Sequence, residues 1–88
     1  MNYDLNELAT MILEVYDTDI QPIICIEELS ELQKEICKMI RYQGEYDKNH
    51  LTEEIAHCLI SINVVKQYYG IKDEDIEKEI SRKFEKEI

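Results

Sequence analysis

Tryptophan is absent from this chain of 88 residues; proline and phenylalanine occur once each and glycine twice. So little Gly and Pro excludes a collagenous or Gly/Pro-rich low-complexity chain. Basic residues are scarce, ten Lys and Arg against twenty Asp and Glu, which leaves a formal net charge of −10. That imbalance repels phosphate backbones, so no nucleic-acid partner bound through a basic surface is expected. The acid is spread along the chain, −6 over residues 1–44 and −4 over 45–88, so there is no detachable acidic tail. No run approaches the roughly 18 uncharged apolar residues of a membrane span, and Met1-Asn2-Tyr3-Asp4 opens no basic, then apolar, leader. Cys25, Cys37 and Cys58 are odd in number and lack CxxC spacing, which points to reduced core thiols and away from a disulfide framework or zinc site. The expectation is a cytoplasmic protein with no membrane partner, folded as one domain over residues 1–88. A domain of this size buries only about 60–65% of its unfolded surface, so self-association is expected as well.

What the chain does have is helical periodicity throughout. Leu5, Leu8, Ile12 and Tyr16, with Ala9 and Met11 beside them, form one apolar stripe of a short first helix. Asp17-Thr18-Asp19 should end it, because such side chains compete for backbone hydrogen bonds. Pro22 suits the first turn of a second helix, where its missing N–H has no partner to lose. Ile26, Leu29, Leu32, Ile36, Met39 and Ile40 then repeat at helical spacing as far as Tyr42, and Gly44 reads as the stop. Asn49 is a candidate N-cap for a third helix with the stripe Leu51, Ile55, Cys58, Leu59, Ile62, Val65 and Tyr69. That stripe is wide, so the third helix should sit centrally or at a subunit interface. Gly70-Ile71 fits a left-handed cap, and Asp73-Glu74-Asp75 loads acid into the start of a fourth helix with a seam of Ile76, Ile80, Phe84 and Ile88. No period-two run suggests a strand. The fold expected is all-α: a four-helix bundle with a short first helix, two long antiparallel helices and a C-terminal helix.

Two acidic pairs stand out. Glu28 and Glu31 are three apart on the second helix, Glu54 and His57 three apart on the third, so each pair shares a helix face. Both flank apolar stripes, and antiparallel packing would let them face one another. Like charges held that close repel unless a cation neutralises them, and a hard divalent ion with oxygen ligands does so economically. An ordinary solvated acidic surface is the other reading that periodicity leaves open.

Glu27-Glu28-Leu29-Ser30-Glu31, a gap of 22 residues, then Glu54-Ile55-Ala56-His57 resembles the EExxE…ExxD signature of MazG-like, all-α nucleoside triphosphate pyrophosphohydrolases. The resemblance runs from about Ile24 to Lys86. Glu-Leu-Ser-Glu-Leu-Gln-Lys-Glu-Ile at 28–36, Leu-Thr-Glu-Glu-Ile-Ala at 51–56 and Tyr-Gly-Ile-Lys-Asp-Glu-Asp-Ile at 69–76 are similar to small phage-type members. It implies a MazG-like bundle, assembled as a homodimer or homotetramer, that hydrolyses a nucleoside or deoxynucleoside triphosphate to monophosphate and pyrophosphate with Mg²⁺ or Mn²⁺. By position, Glu28, Glu31 and Glu54 would be metal ligands. Lys83 matches a phosphate-contacting lysine of relatives, and Lys38, two turns after Glu31, is a second candidate whose alternative is a solvated surface lysine.

The chain departs from that pattern at His57, where relatives carry the fourth acidic ligand, and at Glu87, where they tend to carry Asn. His57 could be a nitrogen ligand better suited to Mn²⁺ than to Mg²⁺, a proton shuttle, a packed structural residue, or the mark of a site without catalysis. The departures motivate an alternative function: a catalytically silent relative that binds a nucleotide, or a phage-type regulatory protein presenting its acidic surface to a basic partner. A plain helical dimerisation module is a third. Cys58 beside His57 is no nucleophile–base pair, since helical neighbours point about 100° apart. His50 should be exposed at a helix start. Tyr42, Tyr46, Tyr68 and Tyr69 fall near helix ends, where they cap the core or, for one of them, stack on a base.

Overall fold

A computed structural model describes residues 4–43, 45 and 47–87, with side chains as far as Glu85. Among these residues the chain forms α1 (Leu5–Val15), a 3₁₀ turn (Thr18–Ile20), α2 (Gln21–Arg41), α3 (Lys48–Tyr68) and α4 (Asp73–Glu87), and no strand. The all-α expectation holds at this level. No described helix is long and apolar enough to cross a membrane.

Local chemistry sets most boundaries. The Asp4 carboxylate accepts from the Asn6 and Glu7 amides at 2.8 and 3.3 Å and opens α1. α1 stops at Val15, two residues before the Asx/Thr cluster, because Asp17 turns its carboxylate onto the Asp19 amide and starts the 3₁₀ turn instead. Pro22 sits in the first turn of α2, as its geometry demands. After α2 ends at Arg41, the left-handed residue is Gln43 (φ 54°); Gly44, the stop expected from sequence, lies outside the described residues, as do Tyr46 and Ile88. The α3 cap is Asp47, whose carboxylate accepts from the Asn49 amide at 2.9 Å, so the expectation of Asn49 as cap is off by two residues. Both types cap well; Asp47 takes the role because its own backbone is extended. Gly70 closes α3 at φ 69°, with the Ile71 amide on the Lys66 carbonyl and the Gly70 amide on that of Gln67. That is the Schellman pattern the Gly-Ile pair suggests.

α3 is central, with α1 packed along one side and the antiparallel α2 along another. The Cys58 thiol donates to the Glu28 carbonyl at 3.2 Å and fixes the α2–α3 register. The apolar residues buried in this core are few: Ala9, Cys25, Cys58 and Val64. α2 turns Cys25, Glu28, Leu32 and Glu35 inward, while Ile26, Leu29, Ile36 and Ile40 of its expected stripe are open. Ile55, Leu59, Ile62 and Tyr69 of α3 are open too, and so are Met11 and Tyr16 of α1. Three helices offer too little surface to cover stripes this wide. Cys37 is exposed as well, so of the three thiols only Cys25 and Cys58 belong to the core.

α4 is joined to the other helices through its first residue. The buried Lys66 ammonium donates to Asn6 Oδ1 at 2.6 Å and pairs with Asp73 Oδ1, while Asn6 Nδ2 donates to Asp73 Oδ2 at 2.8 Å. Beyond that clamp every described α4 side chain, Asp73 to Glu85, is exposed. The accessible surface, 7109 Å², exceeds the about 5,400 Å² typical of a compact monomer of this mass. The radius of gyration is 15.3 Å against about 12 Å for a compact domain of this length.

Candidate metal centre

The α2–α3 register brings three side chains of the two acidic motifs together. Glu28 lies level with Cys58, and His57 is the residue before Cys58, so the imidazole reaches back across the helix contact. His57 Nδ1 is 3.4 Å from Glu28 Oε2 and 3.8 Å from Glu54 Oε2. One ligand atom from each of Glu28, Glu54 and His57 fits within a sphere where all lie within 4.8 Å of one another. Glu28 and Glu54 are half-buried, whereas the His57 side chain is 51% exposed and faces solvent. Two carboxylates and an imidazole at that spacing form a donor set for a divalent cation, with the solvent side open for a ligand.

Whether a cation suits these residues can be judged from Glu54. Its Oε2 is buried and has no hydrogen-bond partner. A buried carboxylate oxygen left without a donor is costly, and a cation removes that cost. The donor set fits a mixed oxygen and nitrogen site.

Beneath the acidic group lie the two core thiols. Burial pushes the Cys58 thiol above its ordinary pKa, with the charges of Glu28, Cys25 and Glu54 adding to the shift. Burial, then the Glu28 charge, raises Cys25. Without a bound metal both thiols stay protonated at neutral pH, which agrees with the Cys58 Sγ donating to a carbonyl and disfavours them as nucleophiles.

The remaining expected residues stand apart. Glu31, one turn along α2, is exposed and outside the Glu28–Glu54–His57 group. Lys38 places its ammonium 3.5 Å from Glu35 Oε1, about 15 Å along the helix from Glu28. Lys83 is exposed on α4, where it lines an apolar groove with Ile76, Ile80 and Phe84. The side chain of Glu87 lies outside the described residues. His50 is exposed at the start of α3, 3.8 Å from Asp47, as its position suggests. Tyr68 donates to Asp19 Oδ1 at 3.3 Å and meets Tyr69 edge-on at 4.9 Å, which ties the end of α3 to the 3₁₀ turn. Tyr42 is exposed.

Two buried charged residues escaped the sequence reading. Glu35 is buried in the α2–α3 seam, and a signal for it exists: it follows Glu28 by seven residues, on the face that carries Cys25 and Leu32. Lys66 is buried at the α1–α3–α4 junction, where its partner Asp73 lies in the next helix and no local pattern announces the pair. Comparison with protein-family models, with curated proteins and with solved structures finds no match to this chain.

Proposed function

We propose that this chain is a metal-dependent nucleoside triphosphate pyrophosphohydrolase of the MazG-like kind its motifs resemble. It would cleave a nucleoside or deoxynucleoside triphosphate into monophosphate and pyrophosphate, and would work as a homodimer or homotetramer. The observation that carries the reading is the convergence of Glu28, Glu54 and His57 across two packed helices, with a buried oxygen on Glu54 that accepts no hydrogen bond. Glu28 and Glu54 offer oxygen ligands, and His57 Nδ1 offers a nitrogen that suits Mn²⁺ better than Mg²⁺. Glu28, Glu54 and His57 would hold Mg²⁺ or Mn²⁺, which would supply neutralisation of phosphate charge and water activation. The chain itself orients the ligands from two rigid helices and leaves the His57 side open to an entering triphosphate. The surface in excess of a compact monomer, together with the open apolar seam of α4, supports assembly with further copies of the chain.

One observation favours the silent alternative. The His57 ring lies 3.4 and 3.8 Å from the two carboxylates, so in its charged form it would offset half of their charge without any metal. In that case the protein would be a binding or regulatory relative that keeps the scaffold. A panel of ribo- and deoxyribonucleoside triphosphates, assayed for pyrophosphate release with Mg²⁺ and with Mn²⁺, decides between them. Turnover by the wild type that Glu54→Ala abolishes supports the enzyme. Turnover only after His57→Asp supports the silent reading, and no turnover by either protein with either metal sinks the hydrolase.

A further inference from the structure

The outer face of α2 repeats apolar residues as regularly as a core face does. Ile26, Leu29, Ile36 and Ile40, with Gln33 between them, step by three, four, three and four, and the four apolar members are 39–73% exposed. Heptad spacing of that kind gives a seam on which a second helix lies. α4 carries an equally bare seam. Its Ile76, Ile80 and Phe84 line one groove, with Asp75 and Glu79 beside the early part and Arg82 and Lys83 beside the late part.

Charge decides how two such helices can meet. Residues 21–31 of α2 carry a net −3 and residues 32–41 a net +2; residues 73–79 of α4 carry −4 and residues 80–87 carry +1. Both helices run from acid to base, so they are complementary only when antiparallel. An α4 folded back along its own α3 would run parallel to α2, since α2 and α3 are antiparallel, and would set acid against acid. The α4 of a second copy is free of that constraint. Area agrees: the chain exposes about 1,700 Å² more than a compact monomer. A chain that gives its α4 to one contact and its α2 face to another needs about 800 Å² for each.

We propose that two copies of this chain exchange their C-terminal helices, the seam of each α4 lying antiparallel on the Ile26–Ile40 face of the other copy's α2. The inference deepens the assembly named in the proposed function and is independent of its metal chemistry. With the two seams centred on one another, Ile80 faces Gln33 of the other copy, Glu79 comes level with Lys34 and Ile76 with Cys37, all of them exposed within one chain.

Sedimentation velocity of the full chain, without metal or nucleotide, tests the contact through two variants and their mixture. Leu29→Ser with Ile36→Ser removes the receiving face, and Ile80→Ser with Phe84→Ser the inserted seam. Each pair should weaken association by about 100-fold or more. An equimolar mixture should associate about tenfold or more tighter than either variant alone, because one contact is then made of two intact surfaces. Orientation is read separately: with oxidised glutathione, Ile76→Cys should form a disulfide between chains to Cys37, and Cys37→Ser should remove it. This disulfide carries the test if the α2 variant does not fold. Its absence from an assembled sample overturns the antiparallel arrangement. An α2 variant that associates like the wild type, or a mixture no tighter than its components, overturns the inference and leaves the proposed function to assemble through another face. A monomeric wild type overturns the inference together with that assembly, while the metal chemistry is still judged by turnover.

Discussion

The Cys58 thiol lies 3.2 Å from the backbone carbonyl of Glu28, and this contact puts the acidic residues of α2 level with those of α3. Its chemical consequence is a sharp difference among the three cysteines. Cys25 and Cys58 are buried, with pKa values raised by that burial and by neighbouring carboxylates, while Cys37 is exposed. Thiolate is the reacting species, so a brief pulse of a thiol reagent at pH 8 should label one cysteine per folded chain. Peptide mass spectrometry should find the label on Cys37, and Cys37→Ser should remove the fast phase. Fast labelling of Cys58 would mean that the α2–α3 seam opens readily.

The helix count, Pro22 in the first turn of α2 and the Gly70–Ile71 cap were legible because each depends on a few adjacent residues. So was the meeting of Glu28 with Glu54 and His57, since i, i+3 spacing beside a stripe puts side chains at a helix contact. What periodicity could not give was the direction of each stripe. α2 carries two faces of mixed character, and the one turned to α3 is Cys25, Glu28, Leu32 and Glu35, not the richer Ile26, Leu29, Ile36 and Ile40. Hydrophobicity alone ranks the second face as core. Which face is covered within one chain depends on the register with α3, a tertiary fact. Glu31 shares that ambiguity: its spacing suits the site, but its side chain faces water.

Glu54 and Glu31 should therefore differ in their effect on cation binding. Glu54 has a buried oxygen without a donor and lies beside His57, whereas Glu31 is exposed. Glu54→Gln should weaken Mn²⁺ affinity by about tenfold or more, and Glu31→Gln by about threefold or less, because charge on a buried ligand outweighs charge on a solvated neighbour. A larger loss for Glu31→Gln would show that Glu31 swings in when the ion binds. His57→Asp adds an oxygen ligand and a negative charge, so it should shift preference from Mn²⁺ towards Mg²⁺. Calorimetry with the two ions checks all three variants.

Acid should release α4 before the rest of the chain unfolds. The hydrogen bond from Lys66, then that from Asn6, holds the Asp73 carboxyl below its ordinary pKa against a smaller opposing effect of desolvation. A depressed folded-state pKa means that the stabilisation is fully present above the unfolded value of about 3.9 and is lost as pH falls through the folded value. Amide exchange at the start of α4 should accordingly rise below about pH 4, ahead of exchange in α3. Asp73→Asn should make α4 exchange faster at neutral pH and abolish that acid step. Lys66→Met should weaken the restraint and the acid step without abolishing it, because Asp73 loses its stronger donor and keeps that of Asn6. An unchanged acid profile in Asp73→Asn would place the restraint on α4 elsewhere.

The open seam of α4 bears most directly on assembly. Ile80 and Phe84 are 57% and 65% exposed on a helix whose described side chains are all at the surface. The clamp at Asp73 aims this helix without covering it. Burying each such side chain contributes about 1.5–3 kcal/mol, and several together suffice for a stable contact with another copy. If a second chain covers the seam, purified protein should sediment at a multiple of 10.5 kDa and its thermal midpoint should rise with concentration. The pair Ile80→Ser and Phe84→Ser should then weaken association by about 100-fold or more, since each 1.4 kcal/mol is tenfold. Because α4 lies outside the core made by α1, α2 and α3, the double variant should keep its helical content at concentrations where it is monomeric. A wild type that stays monomeric at high concentration, or a double variant that associates as before, would leave this seam to some other partner. Sedimentation velocity over a hundredfold range of concentration separates these outcomes, and circular dichroism on the same samples shows whether the three inner helices persist without the contact.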